Sequence, residues 1–201
     1  MISFILLKVY RNKIEFIKQK PCFNTMNEKI SFSSDDEVES IETLLKKGIA
    51  FRMTGSPRHS ILYFDKVLKI EPNHIEALIN KGNALGRLGK YHDAIICYDK
   101  VLKINPKHTL ALINKGLSFH YLRQYDDAIS CYDEILEAIP QHASTLYHKA
   151  CSKALQNNPS EAINLLEKVI NKDPAFKAKA DRDLDFINIR ESSQFKKLVE
   201  I

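Results

Sequence analysis

Pro72, Pro106, Pro140 and Pro174 stand 34, 34 and 34 residues apart. A fixed period of that length, sustained over four units, restricts the chain to a repeat architecture. One unit cannot bury its own apolar face, so neighbouring units must stack to make a core. With proline at position 32, the units run 41–74, 75–108, 109–142 and 143–176. Other columns then align. Position 4 holds Leu44, Leu78, Leu112 and Leu146, and position 8 holds Gly48, Gly82, Gly116 and Ala150. Position 20 holds Ser60, Ala94, Ala128 and Ala162, position 24 Phe64, Tyr98, Tyr132 and Leu166, and position 27 Val67, Val101, Ile135 and Val169.

These columns describe two packed helices per unit. Small residues at 8 and 20 let the helices approach, where a larger side chain overpacks by about 1–3 kcal/mol. The residues at 4, 24 and 27 fill the seam, each contributing roughly 1.5–3 kcal/mol when fully buried. Ala94, Tyr98, Val101 and Leu102 have the spacing of one helical face. Gly55 and Gly89 fall at position 15, where the first helix must end and left-handed backbone is needed. Pro57 and Pro159 follow Ser56 and Asn158, each pair reading as an N-cap with proline at the first helical position.

A small residue at 8, alanine at 20, an aromatic at 24, proline at 32 and the 34-residue period together resemble the tetratricopeptide repeat. The resemblance covers 41–176 and implies an all-α fold, a right-handed α-solenoid whose first helices line a concave face. It is strongest in units 2 and 3. Unit 1 departs with Ser60, and unit 4 with Lys153 at the apolar position 11 and Leu166 at 24. Terminal units differ because one of their faces meets solvent or a cap.

The flanks read differently. Residues 1–33 are expected to be a loose arm, and Met26 is an alternative start to Met1. Ser34 with Glu37 forms a capping box that predicts a first helix starting near Asp35. Residues 177–201 keep Leu184, Phe186, Ile187, Phe195 and Leu198 without the repeat spacing. They are expected to form two short helices capping the last unit, the second opened by Ser192 or Ser193.

Charge excludes one function class. Residues 1–25 carry a net +4 and 26–40 a net −4, so the net +5 is spread thinly over the remaining 161 residues. A nucleic-acid surface needs clustered basic residues, and no nucleic-acid partner is expected. The apolar run Ile2–Leu7 is short of a signal sequence or a span, so neither export nor a membrane anchor is expected. Cys22, Cys97, Cys131 and Cys151 have no zinc or disulfide spacing, which points to a reduced, cytoplasmic setting.

No catalytic, cofactor or metal motif appears, and no enzyme activity is expected. His74, His108 and His142 recur at position 34, but equivalent residues in stacked units lie too far apart to share an ion, so they read as turn residues. Lys47, Lys81, Lys115 and Lys149 fill position 7, with Asp65, Asp99, Asp133 and Glu167 at position 25. The expectation is structural: lysine stems packed in the seam, with at least two ammonium groups within about 4 Å of a position-25 acid.

The partner surface is inferred from the resemblance. Groove positions supply Asn80, Asn83 and Arg87 from unit 2, then Asn114, Leu117, His120 and Tyr121 from unit 3, and Tyr147, His148 and Cys151 from unit 4. Arg87, Tyr121 and Tyr147 are the expected hot spots for a peptide or protein ligand. Chaperone-binding members clamp a terminal carboxylate with lysines and an arginine at set positions. From unit 2 this chain offers Ile79, Asn83, Asn114, Ser144 and His148 there, without the cations. The expected function is a protein-interaction scaffold, as a monomer or weak homo-oligomer; the alternative is a self-associating assembly module.

Overall fold

The computed structural model describes residues 39–200, and every regular element among them is helical. Four helix pairs follow one another: α1 (Ile41–Met53) with α2 (Pro57–Ile70), α3 (Ile75–Arg87) with α4 (Tyr91–Ile104), α5 (Thr109–Tyr121) with α6 (Tyr125–Ala138), and α7 (Ala143–Leu155) with α8 (Pro159–Lys172). Each helix packs on the next in sequence, and successive first helices also touch one another, as the inner rank of a curved stack does. The result is an α-solenoid. Expectations for the arm, the alternative start and the Ser34–Glu37 box lie outside the described residues.

One boundary is corrected. Helix α1 begins at Ile41 rather than near Asp35, because Ser40 caps it: the Thr43 N–H donates to Ser40 Oγ at 3.2 Å, and Glu39 is not helical. The capping serine sits at the unit boundary itself.

Glycine at position 8 meets the ring at position 24. A Cβ at Gly48, Gly82 or Gly116 would stand 2.6, 2.6 and 2.5 Å from the rings of Phe64, Tyr98 and Tyr132. Unit 4 changes both columns together: Ala150 and Leu166 replace glycine and ring, and both are fully buried in one core. Ser60 keeps its place because its hydroxyl donates to the Gly48 carbonyl at 2.9 Å in the interior.

The turns vary while their geometry holds. Gly55 and Gly89 have φ of +78° and +73°, and Arg123 and Asn157 adopt 61° and 62° at the same position. His74, His108 and His142 are N-caps: Nδ1 of each accepts from the backbone N–H of Ala77, Ala111 or Thr145 at 3.2–3.3 Å. That bond fixes the imidazole tautomer and satisfies one otherwise orphaned helix donor.

Three of the four position-7 lysines reach a position-25 acid, each on the preceding unit. Lys81 lies 2.6 Å from Asp65, Lys115 2.8 Å from Asp99 and Lys149 2.6 Å from Asp133, while Lys47 pairs with Glu39 instead. Burial pulls the Lys115 ammonium down, but its bond to Asp99 outweighs that and holds it above its ordinary value. Lys153, at an apolar column, meets Glu161 at 3.0 Å.

After the pairs come α9 (Ala175–Arg182), a 3₁₀ turn (Leu184–Phe186) and α10 (Ser193–Val199), whose N-cap is Ser192. Phe186 and Phe195 are fully buried with ring centroids 5.8 Å apart, and they join the core formed by Tyr147, Leu166 and Val169.

Candidate functional site

The inner rank of α1, α3, α5 and α7 presents two adjoining depressions. The first, about 450 Å³, lies over α1, α3 and α5 and is lined by Arg52, Asn83, Arg87, Asn114, Leu117 and Tyr121 with their neighbours. Asn83 Oδ1 accepts from the Tyr98 hydroxyl at 2.8 Å and from Asn114 Nδ2 at 2.9 Å. The two asparagines therefore tie α3 to α5 and to the Tyr98 ring below. Both residues line the depression. Arg87 Nη1 donates to the Arg52 carbonyl at 3.0 Å, so the two guanidinium-bearing residues are neighbours. Tyr121 is 61% exposed and stacks on Tyr91 with centroids 5.1 Å apart. Among the described residues no carboxylate lines this part of the groove.

The second depression, about 320 Å³, is partly filled by the chain itself. Asp183 leads into the 3₁₀ turn, which packs against α7. The Tyr147 hydroxyl donates to Asp183 Oδ2 at 2.7 Å, and Asp185 Oδ2 lies 3.1 Å from His120 Nε2, whose Nδ1 is 2.9 Å from the Ser152 hydroxyl. Arg190 anchors the turn through the Asp183 carbonyl at 2.8 Å. The self-covered end of the groove is a hydrogen-bonded network.

Its electrostatics follow from burial. Desolvation, with Asp183 and Asp185 beside it, pushes the Cys151 thiol well above its ordinary range, which leaves it unreactive. Burial pushes the Tyr147 hydroxyl up as well, and its bond to Asp183 adds to this. His148 is pushed down to about 4 by burial, with the Lys179 ammonium and His120 adding to the shift. Burial is the largest single influence on Asp185 and raises it, but His120, Cys151 and His148 together outweigh burial and hold the carboxyl below its ordinary value.

The expected site residues thus divide. Asn83, Arg87, Asn114, Leu117 and Tyr121 share the open depression. Asn80 stands apart from it, its amide donating to the Glu76 carbonyl at 2.9 Å. The expectation of an open surface is corrected for three residues. Tyr147, Cys151 and His120 are 1%, 2% and 7% exposed, because the 183–186 turn and α9 cover them. His148 is half-buried between Tyr132 and Tyr147. Three contributors were missed. Arg52 occupies position 12 of unit 1, a groove column read only in the later units. Asp183 and Asp185 lie beyond the repeat, where no column exists to signal a groove contact.

Tetratricopeptide repeat models match residues 75–108, 110–142 and 144–175, three consecutive units in register with the helix pairs. The chain belongs to the tetratricopeptide repeat family. Its α1–α2 pair, outside those matches, has the same glycine-to-ring seam as units 2 and 3. Among solved structures it is similar to MamA 41-end from Desulfovibrio magneticus RS-1, at 26% identity and a TM-score of 0.68, covering 80% of this chain and 89% of that one. A second MamA structure aligns at 20% identity and a TM-score of 0.66, covering 79% and 86%. The first TPR of Spaghetti (RPAP3), bound to an HSP90 peptide, aligns at 20% identity and a TM-score of 0.54, covering 56% and 90%. No curated protein sequence gives a significant match. The tetratricopeptide array is an interaction scaffold, a fold that is typically non-enzymatic. No helix among the described residues is long and apolar enough to cross a membrane.

Proposed function

We infer that the array holds a segment of a partner protein in the groove over α1, α3 and α5, and performs no chemistry there. The observation that carries this is the contrast in the inner rank: Tyr121 and Arg87 stand exposed beside a depression of about 450 Å³, while the neighbouring stretch is closed by the chain's own 183–186 turn. A rigid scaffold presenting aromatic and guanidinium groups beside two interlocked amides suits an extended or helical peptide. The peptide-bound RPAP3 structure shares the fold and supports this mode of use. On this reading the site lies over units 1–3, where the sequence led us to expect units 2–4.

Site-specific photo-crosslinking tests the reading. A photoreactive residue placed at Leu117 or Tyr121 should capture a partner from native lysate, and one placed at Lys100 or Glu134 on the outer helices should not. Capture from the outer positions alone contradicts the groove assignment.

A further inference from the structure

We propose that the open groove selects an acidic segment, in which a carboxylate meets Arg52 and Arg87 and a neighbouring apolar or aromatic side chain lies against Tyr121. This rests on the groove reading above and adds the chemistry of the partner. Two independent observations carry it.

The first is unbalanced charge. The position-7 lysines, which sit in the seams, are each matched by an acid. Arg52 and Arg87 line the groove and form no ion pair among the described residues. Arg52 Nε is also buried without an acceptor. Two arginines lining one depression, with no carboxylate among the described lining residues, make a donor-rich surface at the end of helices α1 and α3. Rotation of the Arg52 head would bring Nε and one Nη onto the same carboxylate, the geometry in which arginine is most selective. The arginines and the Tyr91–Tyr121 stack line the same depression, so an acid and an apolar group close together in sequence can engage both.

The second is an occupant already seated in the same groove. Beyond Tyr121 the inner rank holds Asp183, Leu184, Asp185 and Phe186 of the chain itself. The carboxylates take hydrogen bonds from Tyr147 and His120, and Phe186 is fully buried against Tyr147. First-helix side chains thus hold the two carboxylates and the Phe186 ring, while Leu184 between them points to solvent. Two units earlier the groove offers stronger donors for the same chemistry, with no such segment in it among the described residues.

Fluorescence anisotropy with three labelled peptides tests the idea on the full chain: one with an Asp-Leu-Asp-Phe core, its Asn-Leu-Asn-Phe counterpart and a Lys-Leu-Lys-Phe version. The acidic peptide should bind at least roughly tenfold more tightly than the asparagine peptide, the effect of one charge-assisted contact. That advantage should disappear in Arg87→Gln and in Arg52→Gln and shrink with added salt. Tyr121→Ala should weaken the acidic and asparagine peptides alike. Equal binding of those two peptides, or preference for the lysine version, overturns the acid selectivity; if Tyr121→Ala still weakens them, the groove reading stands without it. Acidic binding that ignores both arginine variants and Tyr121→Ala overturns both readings. Absence of binding by any of the three overturns the proposal.

Discussion

The groove of units 1–3 and the groove of units 3–4 are built from the same first-helix positions, yet they end in opposite states. Over α1, α3 and α5 the inner rank stays open, is lined by arginines and keeps Tyr121 in solvent. Over α5 and α7 it is closed by Asp183, Asp185 and Phe186, which bury Tyr147 and His120. The repeat fixes where inward-facing side chains stand. What comes after the repeat decides which of them remain available to a partner. Terminal units need a cap, and here the cap takes a share of the binding face.

The sharpest way to break the comparison is to remove the cap's anchor. Phe186→Ala deletes a fully buried ring and should cost about 3–5 kcal/mol in denaturant unfolding. Tyr121→Ala, at the open end, should stay within about 0.5 kcal/mol. Comparable losses for both would show that the open end is packed as well.

Acid should loosen the closed half first. His148 takes a proton near 6.5 when unfolded but only near 4 in the native chain. The unfolded state therefore binds more protons in that window, and stability falls as the pH drops from 6.5 to 4, by about 3 kcal/mol in total. The groups around it are Lys179 on α9, His120 on α5 and Asp183 and Asp185 on the turn. His148→Gln should flatten the dependence in melts run from pH 4 to 7. An unchanged slope would place the acid sensitivity elsewhere.

A smaller effect asks whether the two halves share one interior. Gly82→Ala and Gly116→Ala each press a Cβ onto a tyrosine ring, at 2.6 and 2.5 Å. Each should cost about 1–3 kcal/mol, and the two should agree. The smallest effect is at the lysine ladder. Lys81→Leu and Lys115→Leu should change stability by no more than about 1 kcal/mol, since partly exposed pairs contribute little. A larger loss would mean that the seams depend on charge.

Most of the fold was legible because spacing encodes packing. Gly48, Gly82 and Gly116 mark the close approach, the rings at position 24 name what approaches, and the prolines set the period. The lysine–acid pairs were readable as matched columns, although the pairing turned out to cross from one unit to the one before. The candidate site was legible at Asn83, Arg87, Asn114, Leu117 and Tyr121 and misleading at Asn80, His120 and the unit-4 residues. Periodicity gives the direction a side chain points and says nothing of what folds over it. Asp183 and Asp185 lie outside any column, so the burial of Tyr147 and Cys151 had no sequence signal. The histidine caps were placed correctly at the turns, but their bonding to backbone N–H groups depends on local geometry that a column of residue types does not carry.

The division of the groove can be read directly from amide chemical-shift changes on titrating the labelled full chain with the Asp-Leu-Asp-Phe peptide. Shifts should concentrate at Arg52, Asn83, Arg87 and Tyr121, leaving His148, Cys151 and residues 183–187 unmoved. Shifts centred on 143–155 and 183–187, with α1 and α3 silent, would contradict the account: the covered half, with its own turn displaced, would then be the binding site.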